Sequence, residues 1–198
     1  MAMGVTGRDR AKADRHRSLV REASRLFAER GFSGVSLEEL GAAVGVSGPA
    51  VYRHFANKQS LLAEILIGVS RRLLDGGTQV VAAADDAMAQ LHALVDFHID
   101  FALADADVIR VQDRDLASLS PENRRTVREL QRSYLEVWTG ILARLHTDRS
   151  AEEQRMRALA CLALINSTPH SVHSLRGSVA PATMHGVLRD MALAALRV

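Results

Sequence analysis

The chain has 198 residues, 47% apolar and 24% charged, a globular composition with room for one or two modest hydrophobic cores. Aromatics at 4%, with 13 glycines and 4 prolines, argue against a turn-rich β-sandwich. The lone Cys161 excludes an internal disulfide framework and a cysteine-based zinc site, as suits a reducing cytoplasm, while the net charge of +2 hides a basic N-terminal segment ahead of a near-neutral remainder.

Leu19, Ala23, Leu26 and Phe27 recur at helical spacing and predict a helix from about Asp14 to Arg30, stopped by Gly31 in the position after the C-cap. Residues 1–13 then read as a basic arm. Ser36-Leu37-Glu38-Glu39 is a capping box that opens a short helix to about Val44. Gly45-Val46 makes a turn, Ser47 caps a third short helix, and Pro49 is tolerated in its first turn. Asn57 caps a fourth helix, Lys58 to about Leu74, expected to break at Gly76-Gly77. Every later periodic segment is helical. Leu91, Leu94, Val95, His98, Phe101 and Ala102 form one stripe, and a short segment follows near Asp107–Leu119. Ser120-Pro121 opens a long helix through Val127, Tyr134, Trp138, Ile141 and Leu145. Ser150 and Glu153 form a second capping box, and Ala180-Pro181 starts the last helix. The expectation is an all-α chain: a three-helix head, residues 14–60, on a helical body, 61–198.

Function is most legible from Ser36 to Phe55: short helix, tight turn, short helix. With Val51 and Phe55 facing inward, Ser47, Gly48, Ala50, Tyr52, Arg53 and His54 are left facing outward, a set suited to the DNA major groove. Lys58 adds a cation for a phosphate. Residues 19–64, LVREASRLFAERGFSGVSLEELGAAVGVSGPAVYRHFANKQSLLAE, resemble the DNA-binding domain of TetR-type transcriptional regulators, including LFAERGF, the S-x-E-E-L helix entry and VGVSGPAVYRHFANKQSLL. The resemblance implies that Ser36, Tyr52 and Lys58 touch phosphates and that His54 contacts the DNA backbone. Ser47, Gly48 and Ala50 would then open the recognition helix. The chain departs from many relatives at Gly48 and Pro49, which shifts base reading toward Ser47, Arg53 and the basic arm.

The body carries candidates for a small-molecule cavity: Phe97, His98, Phe101, Tyr134, Trp138, Asn166 and His170 mix apolar surface with hydrogen-bonding groups. Asn166 and His170 share a face provided the helix passes Pro169. Ala160 and Ala163, with Val187, Leu188 and Met191, suggest a two-helix contribution to a four-helix dimer interface. The eight histidines include no set spaced as metal ligands, and no catalytic motif occurs, so neither a metal nor a cofactor nor catalysis is expected. No apolar run of membrane length or signal core is present, so no membrane partner is expected. The reading is a ligand-responsive regulator, a homodimeric repressor on palindromic double-stranded DNA, with an effector of fatty or acyl-thioester type. Two alternatives stand at this level: a DNA-binding regulator with no ligand or with a co-repressor, and a small-molecule-binding or enzymatic helical protein with a vestigial head.

Overall fold

A computed structural model describes residues 7–173 and 179–197, with 8, 168–173 and 197 described in backbone only, and no strand occurs among them. Helices α1 (Gly7–Arg30), α2 (Leu37–Ala43), α3 (Gly48–Val51) and α4 (Lys58–Ala82) make the N-terminal part. Helices α5 (Ala87–Ala104), α6 (Ala106–Asp115), α7 (Pro121–Leu145), α8 (Ala151–His173) and α9 (Pro181–Arg197) complete the described chain, with a 3-10 turn at Leu116–Ser118 before α7.

The starts and stops follow from local chemistry. The first backbone N–H groups of a helix lack intrahelical acceptors, and short polar side chains supply them. Ser36 Oγ accepts from the Glu39 N–H at 3.1 Å while the Glu39 carboxylate accepts from the Ser36 N–H at 2.8 Å. Asn57 and Ser60 make the same reciprocal pair at the start of α4. Ser120 and Ser150 accept from Asn123 and Glu153 at the starts of α7 and α8. Gly31 ends α1 with φ of +82°, a left-handed conformation that a Cβ disfavours.

Two boundaries differ from the sequence reading, and one that it left open is decided. Helix α1 begins at Gly7, so residues 7–13 of the expected arm are two further helical turns, with Asp9 favourably placed in the first. Helix α4 does not break at Gly76-Gly77 but runs to Ala82. These glycines are packing positions: a Cβ on Gly76 would lie 2.5 Å from the Phe97 ring, and one on Gly77 would lie 2.6 Å from Tyr134. Helix α8 passes through Pro169 to His173.

Two cores result. The first joins Leu19, Phe27, Leu40, Val51 and Phe55 of the head to Leu61, Leu62, Leu66 and Val69 of α4, and to Val108, Val111 and Val127. The second joins Leu91, Leu94, Ile99, Tyr134, Trp138, Ile165, Leu188 and Leu196. Helix α4 therefore crosses from one core to the other, and packing does not divide at residue 60.

Candidate nucleic-acid interface

Helices of seven and four residues cannot stand alone, and the turn between α2 and α3 shows how they are held. Gly45 takes φ of +70°. At Gly41 an added Cβ would come within 2.9 Å of the Val46 carbonyl oxygen and 3.0 Å of Val51. Glycine is thus required where the two helices cross. Val51 and Phe55 are buried, as their spacing predicts.

The opposite side is open. Tyr52 is 52% exposed, and the Arg53 side chain is likewise exposed. Ser47 stands at the α3 N-cap without using its side chain there, so its hydroxyl is free to meet a ligand. Gly48 and Ala50 complete the approach, presenting backbone and a methyl group only. Ser36 uses its hydroxyl oxygen as an acceptor in the cap, which leaves its proton available to a phosphate oxygen. The Ser36 backbone N–H, then the Arg30 guanidinium, hold the Glu39 carboxyl below the usual carboxylate range.

His54 is corrected. It is half-buried rather than outward, its ring 5.7 Å from that of His16 on α1 and next to Phe55. Burial, reinforced by the His16, Lys12 and Arg15 charges, lowers its pKa and favours the neutral imidazole. Lys58 has a role the sequence did not disclose: its Nζ donates to the Phe32 and Val35 carbonyls, each at 2.8 Å, and sits 4.5 Å above the Phe32 ring. These contacts anchor the start of α4 to the α1–α2 loop and leave one ammonium donor.

Ser36, Tyr52 and Lys58, distant in sequence, line one surface depression of about 470 Å3 together with Glu39, Asn57 and the Ser33–Leu37 segment. Three side chains suited to phosphate oxygens therefore converge, next to a Glu39 carboxylate already paired with Arg30 and the Ser36 N–H.

In the body, five of the seven predicted pocket residues meet. His98 Nδ1 lies 3.1 Å from the Tyr134 hydroxyl and Nε2 lies 3.1 Å from Asn166 Oδ1. Because that oxygen can only accept, Nε2 carries the proton and Nδ1 accepts from Tyr134. Phe101 and Trp138 pack around the His98 ring at 6.0 and 5.9 Å. Burial pushes the His98 pKa down to about 4 and raises that of Tyr134. Trp138 Nε1–H is buried without an acceptor in good geometry; its nearness to the Tyr134 hydroxyl offsets only part of that shift. These residues form a packed core. Phe97 packs at the edge of the same core, against Gly76, and the His170 side chain lies outside the described residues. Cavities of about 440 and 450 Å3 open elsewhere, the first between α1, α4 and α6, the second between α5 and α9.

Of the predicted interface residues, Ala160 and Ala163 are exposed on α8, and Val187 and Met191 on α9. Leu188 is corrected: it is 2% exposed and belongs to the body core of its own chain. Its place is taken by Met156 and Leu159, exposed on the same α8 face as Ala160 and Ala163. No helix among the described residues is long and apolar enough to cross a membrane.

Comparison with known proteins agrees with this layout. Residues 19–65 match the family model described as bacterial regulatory proteins, tetR family, and residues 84–196 match that of the tetracyclin repressor-like C-terminal domain. The HTH-type transcriptional repressor KstR2 of Rhodococcus jostii is 30% identical over 132 residues, 66% of this chain and 65% of that relative, so the match spans less than two thirds of the relative's length. The TetR family regulator PfmR of Thermus thermophilus superposes with a TM-score of 0.76 at 25% identity, over 98% of this chain and 97% of that one. The regulator FadR of Bacillus subtilis, solved in complex with stearoyl-CoA, superposes with a TM-score of 0.69 at 14% identity, over 90% and 98% of the two chains.

Proposed function

Since the chain belongs to the tetR family of bacterial regulatory proteins, we propose that it is a ligand-responsive DNA-binding transcriptional regulator, a repressor that binds a palindromic operator as a homodimer. The observation that carries this reading is the convergence of Ser36, Tyr52 and Lys58 in one depression of the head. Phosphate contacts fix the head on the duplex, and the side chains opening α3 and Arg53 read base edges. Residues 14–60 act as the DNA-binding head and 61–198 as the ligand-binding and dimerisation body. The relative KstR2 is a transcriptional repressor by name, which supports the sign of the regulation.

Dimerisation is supported by the exposed apolar face of α8 and α9, formed by Met156, Leu159, Val187 and Met191 with Ala160 and Ala163 between them. Regulation follows by linkage. A ligand that binds the body better when the heads are spread must weaken operator binding by the same factor. Helix α4 is the mechanical link, since it is fixed to the head at Lys58 and packed against Phe97 and Tyr134 at Gly76 and Gly77. The effector class is a fatty or acyl-thioester compound, consistent with the stearoyl-CoA found in the structurally similar FadR.

The test selects operator sequences from a random duplex pool and measures affinity against salt, with and without stearoyl-CoA. Sequence-selective binding of two chains per palindrome, a steep salt dependence and release by stearoyl-CoA are expected. Binding that ignores sequence overturns the regulator reading, and tightening by the thioester reverses the sign of the ligand's action.

A further inference from the structure

Helix α6 belongs to both cores. Val108 and Val111 pack in the head-side core, and Ile109 packs in the body core. Its last turn carries Arg114, whose guanidinium reaches across to α1. Nη2 donates to the Phe27 carbonyl and Nη1 donates to the Ala28 carbonyl at 3.3 Å. The Asp115 carboxylate, only 10% exposed, accepts from the same guanidinium at 3.0 Å.

Physical chemistry gives each part a purpose. Phe27 and Ala28 lie in the last turn of α1, where carbonyls run out of intrahelical donors and the helix dipole is negative. The Phe27 oxygen already accepts from the Gly31 N–H at 2.8 Å, and Arg114 adds a second, charged donor. Left-handed Gly31 turns the chain aside, and even a Cβ there would stop 3.8 Å short of the guanidinium. A planar fork can serve two carbonyls and a carboxylate at once, which a lysine ammonium does less well. Arg114 is itself 42% exposed, and its cation compensates the nearly buried Asp115 carboxylate. The head is thereby hooked to the body at the C-terminal end of α1, 86 residues earlier in sequence than its partner.

We propose that Arg114 is a positioning residue for DNA recognition: by capping α1 from the body it fixes the angle of the head, and with it the half-site spacing that a dimer accepts. The proposal rests on the DNA-binding reading above, but Arg114 itself touches no DNA. Loss of the hook leaves each head folded and still packed on Val108 and Val111, but less firmly held in angle at the C-terminal end of α1.

The experiment uses full-length protein and the variants Arg114→Gln, Arg114→Lys and Asp115→Asn. Affinities are measured for the selected operator, for the same operator with one base pair inserted at its centre, and for a single half-site. Arg114→Gln is expected to bind the operator about fivefold or more weakly, with less penalty for the inserted base pair and with half-site affinity and salt slope unchanged. Arg114→Lys should restore part of the operator affinity. Independently of DNA, spin labels at Ala56→Cys and Glu136→Cys, both exposed sites, report the head–body distance within one chain when labelled protein is diluted into unlabelled. Cys161 is buried and stays unlabelled. Arg114→Gln should broaden that distance distribution while circular dichroism keeps its helical signal. An unchanged distribution overturns the proposal, as does a loss of helix that accounts for the weaker binding. Failure of the wild-type chain to bind any duplex would refute the DNA-binding reading, while the distance measurement would still decide the hook.

Discussion

The head and the body are both helical and are encoded differently. The head is built from short-range devices: a capping box at Ser36 and Glu39, a second cap at Asn57, left-handed glycines at 31 and 45, and a glycine at the α2–α3 crossing. The body uses helices of 10 to 25 residues, and its distinctive features are contacts between distant segments, such as His98 bridging Tyr134 of α7 and Asn166 of α8. A head of this kind places a few exposed side chains accurately with little core. A body of this kind owes its stability to apolar volume, so its polar groups, once buried, become points of vulnerability.

The sharpest way to break the comparison is Leu188→Asp, which puts an unpaired charge in the body core. It should cost at least about 3–5 kcal/mol and abolish the cooperative thermal transition. Val187→Asp, one residue earlier and 53% exposed, should keep the fold and shift sedimentation from dimer to monomer. A folded, monomeric Leu188→Asp protein would return Leu188 to the interface.

Leu40→Ala empties a fully buried site in the head and should cost about 2–5 kcal/mol. Trp138, the single tryptophan, lies in the body core and reports it alone. The head should therefore lose helical circular dichroism at a temperature where Trp138 fluorescence is still native. Coincident transitions would mean that α4, shared by both cores, makes them one cooperative unit.

Acid should act strongly on the body. His98 has a native pKa of about 4 against about 6.5 for an unfolded histidine. Below pH 6.5 the unfolded chain binds a proton that the native chain refuses, so stability falls as pH drops from about 6.5 to about 4, by about 3 kcal/mol in all. His98→Gln should flatten this slope in melts followed by Trp138 fluorescence.

The smallest effects on stability fall on the DNA face. Lys58→Met removes the donor that holds the Phe32 and Val35 carbonyls and should cost about 1–3 kcal/mol, together with about one unit of salt slope per lost phosphate contact. Tyr52→Phe should leave the melting temperature unchanged and weaken binding to all duplexes alike, since the residue is 52% exposed and lines the depression with Ser36 and Lys58. A Tyr52→Phe protein with wild-type DNA affinity would remove that hydroxyl from the interface.

Most of the fold was legible because its signals are local. A capping serine acts three residues away, an apolar stripe repeats every three or four residues, and a left-handed glycine needs only its own φ, so the all-α class, the helix-turn-helix and the inward Val51 and Phe55 could be read directly. Tyr52 and Lys58 could be singled out from helix facing and charge, and the resemblance added Ser36; their convergence in a single depression could not be seen along the chain. Gly76 and Gly77 read as a break because glycine alone is ambiguous, and only the Phe97 and Tyr134 rings pressed against them make them packing sites inside a continuous helix. Leu188 and Val187 are neighbours with equal propensity for an interface, separated only by which side of α9 meets α5 and α8. The turn of His54 onto α1, the anchoring of Lys58 to two loop carbonyls and the Arg114 cap on α1 belong to the same class. Each depends on a partner far away in sequence, and such a partner leaves no periodic trace.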